Sequence, residues 1–413
     1  MKFTILNSNK FKTNLCSVFL AVPLSEETVT ATALIPSILR RGTQNLKSQL
    51  EINKKLEEMY GASISIGVDK EADFEVLKFY LEVINDELLP EKRELTKEGL
   101  ELLIDIIFNP YIEKNGNGET TFCKQYVEQE KDNLIKVIES RKDNKANYAA
   151  TRMIEEMYEG EPYGIYKFGK IEDLKNIDEK NLYSFYQELI KKAKISVYVV
   201  GNVQDDTLKE NFQQSLDNLG INNANEFELI NKKHEARQIP KIVNEKMDVS
   251  QGNLIIGLDV NSDKSTEEIM MYNAVLGTGA NSKLFQNVRE KASLAYSAGS
   301  RYYRRKDMIM IRTGIEIANY DKALTIIKKQ LQDIKEGIVS VQEMESAKQF
   351  IVSTLKLIPE SSESLINYYY DKEIRGEEAD LEAYIKAIQE VQIQDIVDVA
   401  QDVLIDTIYF LRD

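Results

Sequence analysis

Apolar residues return at helical spacing over residues 26–41, where Ala31, Leu34, Ile35, Ile38 and Leu39 fall on one side before Gly42-Thr43 ends the run. A second helix is predicted over 46–60, with Leu46, Leu50, Leu56 and Tyr60 on an otherwise charged surface. After Gly61 the period drops to two. Ala62, Ile64, Ile66 and Val68 read as a strand with one buried face, and the continuously apolar 74–84 as a central strand. Helices follow at 98–108, stopped by Asn109-Pro110, at 123–141 and at 148–158, then a buried strand at 195–201.

Residues 218–246 break the pattern. They are rich in Asn and Lys, contain Gly220 and Pro240, lack a sustained apolar period, and read as a linker. Beyond them the same order begins again: strand 254–260, helix 266–276, short helix 282–291, strands 295–303 and 308–317, helices 322–336 and 341–356, and a closing strand 407–411. Two halves with one order of elements imply an internal duplication. The expected fold is therefore α+β, two tandem α/β sandwich domains at 1–217 and 247–413.

The 413 residues are 43% hydrophobic and 29% charged, enough for two sizeable cores. A net charge of −15 repels phosphate backbones, and no basic-aromatic stripe offsets it, which argues against nucleic acid as a partner. The short basic clusters at 191–194 and 301–306 read as a solvated helix end and strand edge. No apolar run nears the roughly 20 residues of a membrane span, and the start, Met1-Lys2-Phe3-Thr4-Ile5, lacks the apolar core of a secretory leader. Cys16 and Cys123 stand far apart without CxxC spacing, which suits a reducing compartment, so the cytoplasm is the expected location.

Candidate chemistry concentrates in 276–297, where Leu276-Gly277-Thr278-Gly279 leads through Ser282-Lys283-Leu284-Phe285 to Arg289, and then Ala295-Tyr296-Ser297. This is a glycine loop, a short helix and a strand entry in succession, with an arginine and a tyrosine seven residues apart at the handover. Gly277 and Gly279 are expected to be turn residues with positive φ. The single histidine, His234, lies beside Lys233 in the linker and reads as a solvated surface residue; no GxSxG elbow supports a serine triad built on it. Tyr368-Tyr369-Tyr370 reads as helix packing, with the wall of a peptide groove as the alternative.

In sequence and order the run 276–297 resembles the C-terminal half of the insulinase/pitrilysin zinc peptidases, of the mitochondrial processing peptidase fold type. There the matching Arg and Tyr hold the substrate carbonyl. The stretch 33–43, ending in Gly42-Thr43, is similar to that family's metal helix, but the positions of His, Glu and His hold Ala33, Pro36 and Ser37. The family's further glutamate falls on Lys136 or Val137, and only a shifted register brings in Glu139. Zinc hydrolysis needs imidazole ligands, an open coordination position and a base. The resemblance therefore implies a chain that holds no zinc and is inactive alone.

Lys10-Phe11-Lys12-Thr13-Asn14-Leu15, with Leu56-Glu57-Glu58-Met59-Tyr60-Gly61-Ala62, is similar to a branch of the family termed YmfF-like, considered beside a zinc-bearing YmfH-like homologue. What this implies is a metal-free subunit that binds peptide and supplies Arg289 and Tyr296 in trans to a zinc-bearing partner. The competing implication is an inactive peptide-binding or scaffold protein of the same fold, and a homodimer is the third arrangement.

Overall fold

The computed structural model describes residues 1–114, 116, 118–203, 207–221 and 233–413. In chain order the strands are β1 (Lys2–Asn7), β2 (Thr13–Pro23), β3 (Ser63–Glu71), β4 (Phe74–Ile84), β5 (Ile112–Lys114), β6 (Thr120–Phe122), β7 (Lys194–Gly201), β8 (Lys241–Lys246), β9 (Gly252–Val260), β10 (Ala295–Tyr303), β11 (Met308–Ile315) and β12 (Val403–Arg412). The helices of the first half are α1 (Val29–Leu39), α2 (Gln49–Glu58), α3 (Leu95–Phe108), α4 (Lys124–Ser140), α5 (Lys145–Met157), α6 (Glu179–Lys192) and α7 (Leu208–Asn218). Those of the second are α8 (Thr266–Gly277), α9 (Tyr320–Lys335), α10 (Val341–Lys356), α11 (Ser362–Arg375), α12 (Leu381–Glu390) and α13 (Ile393–Asp402).

The duplication is visible strand by strand. One five-stranded sheet runs β1-β7-β2-β4-β3 and the other β8-β12-β9-β11-β10, so β1, β2, β3, β4 and β7 correspond to β8, β9, β10, β11 and β12. In each, the outer pair at one end is parallel (β1 with β7, β8 with β12) and the remaining pairs are antiparallel. Several helices start where the sequence stops them fraying: Ser265 with Glu268 and Ser340 with Glu343 close reciprocal capping boxes on α8 and α10.

The chain packs as two compact units whose membership does not follow chain order. Ser140–Gly164 group with the second sheet, and Pro359–Asp371 with the first. α5 therefore covers β9 and β12. It can approach closely because β9 carries Gly257: a Cβ there would lie 2.6 and 2.7 Å from the sulfurs of Met157 and Met153. Tyr148 donates to Glu245 at 2.6 Å, and Tyr409 donates to the same carboxylate at 2.7 Å. In the first unit Tyr370 of α11 meets Phe19 of β2 edge-on, with ring centroids 4.7 Å apart.

Two expectations change. Part of the stretch read as linker, 222–232, lies outside the described residues, but Lys241–Lys246 forms β8, paired in parallel with β12. The short helix expected at 282–291 is a π-helix over Phe285–Lys291.

Gly257→Ala is expected to destabilise the protein by about 1–3 kcal/mol through overpacking against the two methionines, read as a lower urea midpoint. An unchanged midpoint would mean that Met153 and Met157 give way freely.

Candidate functional site

On α1, Ala33, Pro36 and Ser37 occupy i, i+3 and i+4 and so share a face. Ala33 and Pro36 are buried; Ser37 is exposed. A methyl, a proline ring and one hydroxyl offer no ligand set for zinc, so the family's metal does not fit this helix. Among the described residues no three or more His, Cys, Asp or Glu side chains group to hold a metal. Gly42-Thr43 keeps a structural task. A Cβ on Gly42 would sit 2.9 Å from the Lys47 carbonyl carbon, and the Thr43 hydroxyl donates to Asp105 of α3 at 2.5 Å while accepting the Leu46 N–H at 2.8 Å. Lys136, Val137 and Glu139 of α4 are exposed. The carboxylate that α4 turns inward is Glu130, held by the Arg41 Nε at 2.6 Å.

Arg289 and Tyr296 stand on two successive backbone irregularities. Arg289 lies in the π-helix, which is fastened from both sides: Asn287 donates to Gln330 of α9 at 2.8 Å, and the buried Lys283 ammonium pairs with Glu343 of α10 at 3.0 Å. Two residues beyond the helix, Ser293 has a left-handed φ of 51° and its N–H returns to the Arg289 carbonyl at 3.1 Å. The β10–β11 register then slips between Ala295 and Ser297, which leaves Tyr296 as the bulged residue, 75% exposed. The Arg289 guanidinium lies 4.6 Å over the Phe285 ring, and its Nε is 3.6 Å from Glu290. An exposed pair that long contributes little, about 0–1 kcal/mol. π-turns and bulges both recur where a fold must aim a side chain out of the regular pattern.

The glycines before this segment divide their work. Gly279 has φ +89°, as expected of a turn. Gly277 instead ends α8 in close approach to β10: a Cβ there would meet the Ser300 backbone nitrogen at 2.5 Å.

His234 departs from the sequence expectation. It is only 8% exposed, with Nδ1 2.5 Å from Glu161 Oε1 and Nε2 3.2 Å from Asp406 Oδ2. Both ring nitrogens are thus engaged by carboxylates, and no serine triad can be built on it. Tyr368 and Tyr370 are buried, which is the packing reading of the tyrosine run. The basic cluster at 301–306 is less solvated than expected, with the Lys306 ammonium buried over the rings of Tyr158 and Tyr163 at 5.4 and 5.7 Å.

This duplicated fold is that of the insulinase, or M16, peptidase family, to which the chain belongs. The family model described as the Peptidase M16 inactive domain matches residues 176–351. The chain is 32% identical over 412 residues to the probable inactive metalloprotease YmfF of Bacillus subtilis strain 168, covering 99% of this chain and 95% of that protein. The crystal structure of a conserved protein from Enterococcus faecalis V583 superposes with a TM-score of 0.88 at 25% identity, covering 99% and 96% of the two chains. A peptidase M16 inactive domain from Pseudomonas fluorescens shares the fold, with a TM-score of 0.79 at 15% identity over 99% of this chain and 95% of that one. No helix among the described residues is long and apolar enough to cross a membrane.

One buried group beside α1 had no signal in the sequence. Glu75 of β4 is fully buried, and neither carboxyl oxygen has a hydrogen-bond partner. The nearby Thr32 hydroxyl of α1 donates to the Thr28 carbonyl at 3.0 Å. Lys167 gives its protons to the Val68 carbonyl and Asp69, at 3.0 and 2.9 Å. Burial pushes the Glu75 carboxyl well above its ordinary value, against weaker opposing pulls from Thr32 and Lys167. With a raised folded value the native state keeps a proton that the unfolded chain loses, so this contribution to stability falls as pH rises above about 4.3. Glu75→Gln is expected to gain on the parent as pH rises, by up to about 1.4 kcal/mol per pH unit in that window, read from paired urea titrations at pH 5 to 8. A difference that does not vary with pH would show that the carboxyl is ionised in the fold.

Proposed function

We propose that this chain is the metal-free subunit of a two-component insulinase-family peptidase. It binds an extended peptide and presents Arg289 and Tyr296 to the substrate carbonyl, in trans to a zinc-bearing homologue. The observation that carries this reading is the presentation of the pair. Tyr296 projects from a bulge and Arg289 sits half-exposed on a π-turn with only a loose carboxylate neighbour, so neither donor is consumed by the fold. A guanidinium and a phenol held in this way can both donate to a carbonyl oxygen as negative charge develops on it. Among the described strands β10 pairs only with β11, and the other edge supports a docking site for an extended peptide. The metal, its ligands and the general base belong to the partner, because α1 holds Ala33, Pro36 and Ser37 where they would be needed. A scaffold or peptide-binding role without chemistry is the second reading, favoured by the loss of all three of those groups.

With the chain assembled on a zinc-bearing homologue from the same organism, Arg289→Ala and Tyr296→Phe should each lower peptide turnover about 10²–10³-fold, while the complex elutes unchanged in size-exclusion chromatography. Full turnover in both variants would remove the pair from the reaction. Failure of the two proteins to associate would leave the scaffold reading.

A further inference from the structure

The surroundings of His234 hold a device that peptide hydrolysis does not use. A neutral imidazole carries one N–H. With a carboxylate oxygen at 2.5 Å from one ring nitrogen and another at 3.2 Å from the other, both contacts are hydrogen bonds only when the ring is doubly protonated. The two carboxylates come from different places: Glu161 from the turn after α5, and Asp406 from β12. Asp406 also accepts the Arg237 backbone N–H at 2.9 Å and its guanidinium at 2.6 Å, and Arg237 donates to the Met157 carbonyl at 2.9 Å. The segment 233–240 is therefore pinned at two points, His234 and Arg237, just ahead of β8.

We propose that Glu161, His234, Asp406 and Arg237 form a proton-controlled latch that fastens residues 233–240 to β12 and to the turn after α5. When the imidazolium loses its proton, one carboxylate faces a ring lone pair instead of an N–H, so one of the two His234 bonds is lost and that pin loosens, while the Arg237 bonds to Asp406 and the Met157 carbonyl remain. β8 itself stays in place. Its Lys241 pairs with Glu156 and Glu159 at 2.8 and 2.7 Å, and its Glu245 accepts from Tyr148 and Tyr409, ties that do not pass through His234. The opening is thus confined to the approach to the edge strand, where Ile239 is 84% exposed.

The other groups around the ring set the direction. Asp259 of β9, Asp307, Lys306, Lys233, Thr407 and the rings of Tyr158 and Tyr163 complete the setting. Burial works against a charged imidazole, but the bonds to Asp406 and Glu161 outweigh it and hold the ring above its ordinary value. Burial likewise opposes the Asp406 charge, yet His234, the Arg237 N–H and Thr407 bring that carboxyl down to about 2. Burial pushes Asp259 up to about 6. Because the His234 value is raised on folding, its stabilisation is complete below about pH 6.5 and is lost as pH rises through the folded value. Asp406 remains ionised throughout that range.

The chain has one histidine, so a sample labelled with 13C-histidine gives a single imidazole signal that needs no assignment. Its titration in the intact protein should have a midpoint above that of free histidine. Hydrogen exchange in peptides covering 233–240, corrected for intrinsic rate, should lose part of its protection across the same pH interval, with the Arg237 N–H still held by Asp406, while 241–246 stays protected. Asp406→Asn should lower the imidazole midpoint, and His234→Gln should give 233–240 the same reduced protection at both pH 6 and pH 8.5. A midpoint at or below the free value overturns the latch. So does protection of 233–240 that ignores pH in the parent protein or stays undiminished at pH 6 in His234→Gln. Should the variants fail to fold, the parent titration and exchange decide the matter alone.

Discussion

A strand buried on both faces needs an apolar cover on both, and β2 and β9 are buried along almost their whole lengths. Each sheet meets this demand with a segment from elsewhere in the chain: residues 140–164 join the second sheet, and residues 359–371 the first. The sizes show that this cover is not optional. α5 buries Tyr148, Met153, Ile154 and Met157. At about 1.5–3 kcal/mol for each large side chain, the four together match the whole net stability of an ordinary domain, about 5–15 kcal/mol. Neither half of the sequence contains its complete core, and the loops that carry candidate chemistry are positioned by sheets that depend on this exchange.

Much of the architecture was legible because buried strands and amphipathic helices write their period locally. The alternation at 62–68, the apolar run at 74–84 and the helices around them return in the same order after residue 247, which is what suggested the duplication. What escaped depends on partners distant in sequence. His234 sits in a polar neighbourhood along the chain, and its burial comes from Glu161 and Asp406, 73 and 172 residues away. β8 reads Lys-Ile-Val-Asn-Glu-Lys, an edge strand whose faces alternate between half-buried and exposed, with no apolar run to betray it. Glu75 lies within a strand pattern that predicts burial, but nothing local says that a carboxylate there has no partner.

The same contrast divides the candidate site. Arg289 and Tyr296 were singled out as candidates through the family resemblance of the run around them, the glycine loop and Ser282-Lys283-Leu284-Phe285, because their spacing alone does not set them apart from an ordinary ion pair and strand aromatic. Their backbone setting was not legible, because a π-turn and a bulge arise from how Asn287, Lys283 and the β10–β11 pairing are held, and each of those contacts reaches a separate element. Regular structure would have put Arg289 in an α-helical turn and Tyr296 in an alternating strand. The irregularities move both residues off those regular positions.

The α1 helix has moved in the opposite direction. Proline inside a helix removes a backbone hydrogen bond and clashes with the turn before it, a cost of about 3 kcal/mol. Pro36 is tolerated because α1 is held by packing: Leu34, Ile35, Ile38 and Leu39 are all buried in the first core. A metal site needs its helix at fixed geometry with ligands turned outward, and an apolar helix with a proline has relinquished both requirements. Histidines placed at positions 33 and 37 would still have Pro36 between them and would force an imidazole into the buried position of Ala33. Positions 33 and 36 of α1 are thus given to core packing, whereas the segment that carries Arg289 and Tyr296 is irregular and open.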